Sequence, residues 1–320
     1  MQLRKDYILN RWSYISGARA KRPHNYQSIT DNNEAHPKNC PFCFNREYLT
    51  PEEIGRVEKI KGKWLVRWFL NKYPALTSTK TQKEISNNRF FQAYSSFGIQ
   101  EVIIETPDKR QMVDLSVEHI SIILKVYNHR IEELSKIKGI EYVMVFKNRR
   151  KGAGASIVHS HSQVIATGKI PALIEQEILA FNQYNSCPYC DIIKAEQSGP
   201  RKVFENENFI AFTPYAPRFN YEIWIFPKAH MKKMNEMKDW QYFDLAEILK
   251  KILKKINEIN TPYCFYIQYG VGKTMDFHWH IEILPRVNIK AGFELSGGDS
   301  IISVSPEEAA EFYKGIWSNC

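Results

Sequence analysis

The chain has 320 residues, 43% of them hydrophobic, with 44 Lys and Arg against 35 Asp and Glu for a formal charge of +9. That is enough apolar material for a substantial core, in one large domain or two related halves. No run approaches the roughly 18 apolar residues of a membrane span, and the opening MQLRKDYILNRWSYISGARAKRP lacks the apolar segment of a secretory signal. A cytoplasmic protein with no membrane partner is expected. The positive charge favours anionic partners such as nucleotides, nucleic acid or phosphorylated sugars, but the lysines are scattered rather than gathered into a stripe.

Taken in order, the first landmark is Cys40-Pro-Phe-Cys43. Strand-like WLVRWFLNKYPAL and QEVIIETPDK follow, then the helical SVEHISIILKVYNHRIEEL, the strand IEYVMVF, a glycine-rich KNRRKGAGAS and the segment HSHSQVIA. A second pair, Cys187-Pro-Tyr-Cys190, starts the same grammar again. FIAFTPYAP, YEIWIFPKAH, the helical YFDLAEILKKILKKI, the strand YCFYIQYG and HWHIEILPR come in turn. Strand, strand, helix, strand and a strand carrying His-x-His thus occur twice, which points to a duplicated α+β unit. The seam falls near Phe181 to Ser186, dividing the chain into 1–183 and 184–320. The lysines of LAEILKKILKKINEIN read as the solvated face of an amphipathic helix.

Without an export signal, cysteines two apart are metal ligands more often than disulfides. Aligning the repeats matches His159 with His278, His161 with His280, Gln163 with Glu282 and Lys109 with His230. The second half then assembles Cys187, Cys190, His230 and His278, a Cys2His2 set suited to tetrahedral zinc. The first half offers Cys40, Cys43 and His159, but an ammonium at Lys109 has no lone pair to give. His36 or water could complete the site, or the cysteines could merely pack. Cys264 and Cys320 stand alone.

Alternation along a strand puts His159, His161 and Gln163 on one face and Ser160 and Ser162 on the other. Gly152 and Gly154 let backbone approach a ligand, and exposed N–H groups of that loop could cradle phosphate oxygens beside Ser156. An imidazole next to a phosphate cradle can act as a general base or attack phosphorus itself, the latter requiring a neutral ring with one nitrogen unprotonated. A hydrogen bond from the other ring nitrogen to a carbonyl would fix that tautomer, and Gln163 could donate to a phosphate oxygen.

NRRKGAGASIVHSHSQVIA resembles the active-site segment of the galactose-1-phosphate uridylyltransferase branch of the histidine-triad (HIT) superfamily, including its ADP-glucose phosphorylase relatives. SGARAKRP, FLNKYPAL and GFELSGGDSIISVSPEEAA resemble that branch's arginine segment, asparagine-containing strand end and carboxy-terminal tail. The resemblance implies a duplicated HIT-like α+β fold of two antiparallel-sheet halves with packed helices, assembled as a homodimer. It implies a nucleoside diphosphate sugar as donor and a sugar 1-phosphate as acceptor, with a covalent nucleotidyl-histidine at His161. It also implies phosphate contacts from Gln163, Ser156 and Gly154, and nucleotide contacts from Arg19, Arg22, Asn71 and Asn148. Zinc would bind Cys40, Cys43 and His159 in one half and Cys187, Cys190, His230 and His278 in the other.

Three departures stand out. Ser160 replaces the usual proline between the histidines, Lys109 replaces a zinc ligand, and the tail lacks the glutamine used near the sugar. The tail reads closer to the phosphorylase relatives, for which inorganic phosphate is the acceptor. A non-catalytic, zinc-stabilised protein binding nucleotide or nucleic acid is the rival from another class, although no nucleic-acid partner is expected.

Overall fold

The computed structural model describes residues 2–15, 39–78, 83–87, 89–271 and 277–316. Its strands up to the first helix are β1 (Gln2–Lys5), β2 (Trp12–Ile15), β3 (Glu53–Ile60), β4 (Lys63–Leu70), β5 (Glu84–Asn87), β6 (Gln92–Tyr94) and β7 (Gly98–Ile104). Helix α1 (Val117–Ser135), β8 (Tyr142–Arg149), β9 (His161–Thr167), α2 (Ala172–Phe181) and α3 (Pro188–Gln197) follow. The rest comprises β10 (Lys202–Glu205), β11 (Phe209–Phe212), β12 (Ile223–Pro227), α4 (Gln241–Glu258), β13 (Tyr263–Gln268), β14 (His280–Pro285), α5 (Gly292–Gly297), β15 (Ser300–Ile302) and α6 (Pro306–Lys314).

These elements form two compact units. The first takes residues 35–147 and 157–175, and the second takes 1–34, 148–156 and 176–320. In the first, antiparallel pairing gives the order β3-β4-β7-β9-β8. In the second it gives β10-β11-β12-β14-β13. Both orders place the fifth strand between the third and the fourth, with a long helix joining third to fourth. The repeat read from the sequence is therefore a repeat of topology.

Each helix explains itself locally. Ser116 caps α1, its Oγ accepting from the His119 N–H, and Ile120, Ile123, Leu124, Tyr127, Ile131 and Leu134 recur at helical spacing on the buried side. Helix α4 buries Leu245, Leu249, Ile252 and Ile256 and leaves its lysines outside, the face expected from LAEILKKILKKINEIN. Pairing between distant parts of the chain also builds a small sheet in the second unit, β1-β2-β15, with β15 parallel to β2.

The second unit also buries a carboxyl. Glu177 on α2 accepts a hydrogen bond from Gln268 Nε2 at 3.3 Å, and burial, then the charge of Glu282, pushes its pKa up to about 8. An acid raised in the folded state holds an extra proton there, so stability falls as pH climbs from the ordinary carboxyl range towards about 8. Urea unfolding of Glu177→Gln is expected to lack that decline and to show a variant more stable than wild type at pH 8.5. Equal slopes in the two proteins would contradict the assignment.

Candidate active site

The His-x-His segment enters β9 with His159 just ahead of the strand and His161 as its first residue. Register pairs Ile104 with His161 and Val102 with Gln163, so His161 and Gln163 share a face as alternation requires. Phe42, from between the first pair of cysteines, packs edge-on against both rings, 6.0 Å from His159 and 5.5 Å from His161 between centroids.

The His161 ring is held as a neutral imidazole of one tautomer. Its Nδ1 lies 2.7 Å from the His159 carbonyl, an acceptor only, so Nδ1 carries the proton and Nε2 keeps its lone pair. Burial, the largest influence, pushes its pKa below the ordinary imidazole range. Lys147 acts in the same direction, while the His159 carbonyl and Glu105 oppose them. The residue is 7% exposed. Gln163 is oriented as well: its Oε1 accepts from Gln100 Nε2 at 3.0 Å, which leaves its NH2 as the donor end. Gln100 in turn accepts from the Ala75 N–H at 2.9 Å through Oε1 and from the Asn71 N–H at 2.8 Å through its carbonyl. The Asn71 loop and the Gln163 amide are thus set by one glutamine that sequence reasoning missed. Its signal was a polar residue beside Glu101 in the largely apolar run GIQEVII.

His280, the counterpart in the second unit, is disposed otherwise. It is 0% exposed, its ring stacks on Phe226 at 4.4 Å, and Nε2 lies 3.4 Å from Glu282 Oε1. Tyr189, from between the second pair of cysteines, packs 5.0 Å away, repeating the placement of Phe42. The duplicated histidine has become core.

The glycine loop differs from its expected use. The N–H groups of Ala153, Gly154 and Ala155 are spent on the carbonyls of Arg150, Lys151 and Arg150, so those three are not offered to a ligand. A Cβ at Gly152 would stand 2.8 Å from Pro262 Cγ, so this glycine answers a packing demand. Gly154, at φ 91°, sits where side chains are strained, and a Cβ there would lie 3.6 Å from Asn148 Nδ2. Ser156 is exposed. Asn71 Oδ1 accepts from the Tyr73 N–H at 2.9 Å, a local turn bond. Asn148, Gly154 and Ser156 group with the second unit, whereas Asn71, His161 and Gln163 lie in the first. Arg19, Arg22 and His36 lie outside the described residues.

Both Cys/His sets come together. Cys187, Cys190, His230 and His278 each place one ligand atom within 4.8 Å of all the others, and so do Cys40, Cys43 and His159. A tetrahedral zinc with ordinary bond lengths separates sulfur and nitrogen ligands by about 3.6 Å. Here Cys40 and Cys43 Sγ lie 3.5 and 3.7 Å from His159 Nδ1, and Cys190 Sγ lies 3.3 and 3.6 Å from Nδ1 of His230 and His278. His159 Nε2 donates to the Thr106 carbonyl at 2.7 Å, which leaves Nδ1 as the metal-facing lone pair. Burial and the neighbouring thiol push Cys43 up to about 11 and Cys187 up to about 12, the reverse of a reactive redox thiol. Both sets fit a metal ion. Lys109 is exposed, and Asp108 beside it is engaged with Arg110 and Thr106, so neither adds a ligand to the first set.

A duplicated antiparallel α+β fold whose histidine strand carries His-x-His-x-Gln is the arrangement that the resemblance to the galactose-1-phosphate uridylyltransferase branch implies. The profile described as galactose-1-phosphate uridyl transferase, N-terminal domain, matches residues 1–171, and one for a domain of unknown function matches 114–312. ADP-glucose phosphorylase of Arabidopsis thaliana is 33% identical, covering 98% of this chain and 93% of its own. Galactose-1-phosphate uridylyltransferase of Thermotoga maritima is 29% identical over 97% and 96%. Among solved structures, the Arabidopsis ADP-glucose phosphorylase with bound ADP-glucose superposes with a TM-score of 0.84 at 31% identity, covering 98% of each chain. The chain belongs to the galactose-1-phosphate uridylyltransferase family.

Among the described residues, no helix is long and apolar enough to cross a membrane.

Proposed function

We propose that the protein is a nucleotidyltransferase that moves a nucleoside monophosphate from a nucleoside diphosphate sugar through a covalent nucleotidyl-His161. His161 Nε2 attacks the α-phosphorus, the α–β phosphoanhydride bond breaks, and the sugar 1-phosphate leaves. A phosphate oxygen of the acceptor then attacks the same phosphorus and releases the imidazole. The observation that carries this reading is the Nδ1–H bond to the His159 carbonyl, which presents Nε2 with its lone pair on the face shared with Gln163. The Gln163 amide and Ser156 contact the transferred phosphate, Gly154 shapes the turn beside it without donating its own N–H, and Arg19, Arg22, Asn71 and Asn148 hold the nucleotide.

Zinc, held by Cys187, Cys190, His230 and His278 and by Cys40, Cys43 and His159, serves structurally, tying the cysteine loops to the histidine strands. The two repeats, 1–183 and 184–320, form one cytoplasmic subunit of a homodimer.

For the acceptor, the sugar 1-phosphate of a uridylyltransferase is the first reading. One observation favours a second: positions 292 to 306 contain no glutamine. The likeness to ADP-glucose phosphorylase leans the same way. In that reading inorganic phosphate takes the nucleotide. Radiolabelled UDP-glucose and ADP-glucose are offered in turn, and acid-labile label on the protein identifies the donor. Galactose 1-phosphate or phosphate is then added, and release of the label as a nucleotide sugar or a nucleoside diphosphate identifies the acceptor. Tight, salt-sensitive polynucleotide binding with no labelling by either donor would favour the non-catalytic rival instead.

A further inference from the structure

The back of the histidine strand holds a buried charged network that the mechanism above does not use. Glu105, just beyond β7, is fully buried and accepts four hydrogen bonds. Lys147 Nζ and Ser160 Oγ reach its Oε2, each at 2.5 Å, and Tyr127 Oη at 2.7 Å and Ser162 Oγ at 2.5 Å reach its Oε1. Lys147, on β8, divides its donors among the Glu105 carboxylate, Ser160 Oγ at 3.0 Å and the main-chain carbonyl of His161 at 3.1 Å. Ser160 and Ser162, which strand alternation turns away from the ligand face, therefore join a charged cluster.

The repeat supplies an internal control. Register pairs Phe146 with Gln163 in the first unit and Tyr266 with Glu282 in the second, so Ile267 takes the place of Lys147. Glu105 lies against Ser160, and the same pairing continued in the second unit sets Pro227 against Trp279. Trp279 and Ile281 stand for the two serines. Pro227, Ile267, Trp279 and Ile281 are all buried and apolar. The same strand in the same topology thus folds on an apolar support, and a buried ion pair is seldom more stable than such packing. The charged support occurs under the strand whose histidine has its ring nitrogen available, and the apolar support under the one whose histidine is sealed.

We infer that Lys147, held by Glu105 and Ser160, is a positioning residue for nucleotidyl transfer: it anchors the His161 main chain, while the ring is anchored to the His159 carbonyl. The two anchors fix where Nε2 sits, and a shift of about an ångström in a nucleophile costs on the order of a hundredfold in rate. This inference rests on His161 being the nucleophile.

Single-turnover labelling with radiolabelled ADP-glucose and UDP-glucose tests it. For Lys147→Met, the limiting rate of label incorporation is expected to fall roughly a hundredfold, with the half-saturating donor concentration within about threefold of wild type. Lys147→Arg should recover part of the rate by donating to the same carbonyl. Because a lone buried carboxylate could unfold the chain, Glu105→Gln/Lys147→Met is measured beside it. The double variant should melt near the wild-type temperature and still label slowly. Wild-type labelling by the double variant overturns the inference, as does a loss of rate and donor affinity in step with melting temperature. Absence of labelling in wild type overturns the covalent mechanism, and this inference falls with it.

Discussion

His161→Ala is expected to lose nucleotidyl transfer by about 10⁴-fold or more while remaining folded, because no other described group can replace the covalent step. The ring makes one local hydrogen bond and an edge contact with Phe42, so its removal trims the core only modestly. The paired control is His280→Gln. That ring lies among Phe226, Tyr189, Trp224 and Phe277, so its replacement should lower the melting temperature yet leave the labelling rate of the folded protein near wild type. Reciprocal results, with position 280 abolishing labelling and position 161 sparing it, would reverse the assignment of the two halves. The same measurements give a pH test. Since burial holds the His161 imidazole below its ordinary range, labelling should persist as pH falls through about 6.5 and fail only below that.

The second large effect concerns metal. Cys190→Ser should lose one equivalent of zinc per chain and lower the melting temperature by roughly 8 °C or more, taking a loss of a few kcal/mol at about 2–4 °C for each. Cys187 and His278 are drawn together with Cys190 and His230, and without a cation the two thiols are held close against their own desolvation. Metal content by atomic emission alongside calorimetry checks both halves of the expectation. An unchanged metal count, or an unchanged melting temperature after the metal is lost, would contradict the structural role. Chelator titration should also separate the two sites. The first set shows three ligands among the described residues and should release its ion before the four-ligand set.

Much of this was legible in the sequence because the informative residues sit at fixed spacings. The cysteine pairs, the alternation of His159, His161 and Gln163 and the double strand grammar all depend on neighbours a few residues apart, and local periodicity reports such neighbours well. The features it missed depend on partners far apart in the chain. Pairing of β2 with β15 joins residues nearly three hundred positions apart, and no local pattern encodes it. Lys147 and Glu105 lie 42 residues apart, one near the polar end of β8 and the other just past β7, and their pairing appears only once β7, β8 and β9 are aligned. Gln100 was hidden for the same reason. The glycine loop was legible only in part: its composition suggested a cradle, whereas three of its N–H groups close the turn itself and Gly152 is small because Pro262 is close.

The central claim is that the His161 ring takes a nucleotide covalently, and intact-protein mass spectrometry tests it most directly. After brief exposure to ADP-glucose or UDP-glucose without acceptor, the account predicts one added nucleoside monophosphate, acid-labile and mapping to the peptide that contains His161. An unmodified mass with every donor, or the same adduct on His161→Ala, would contradict it.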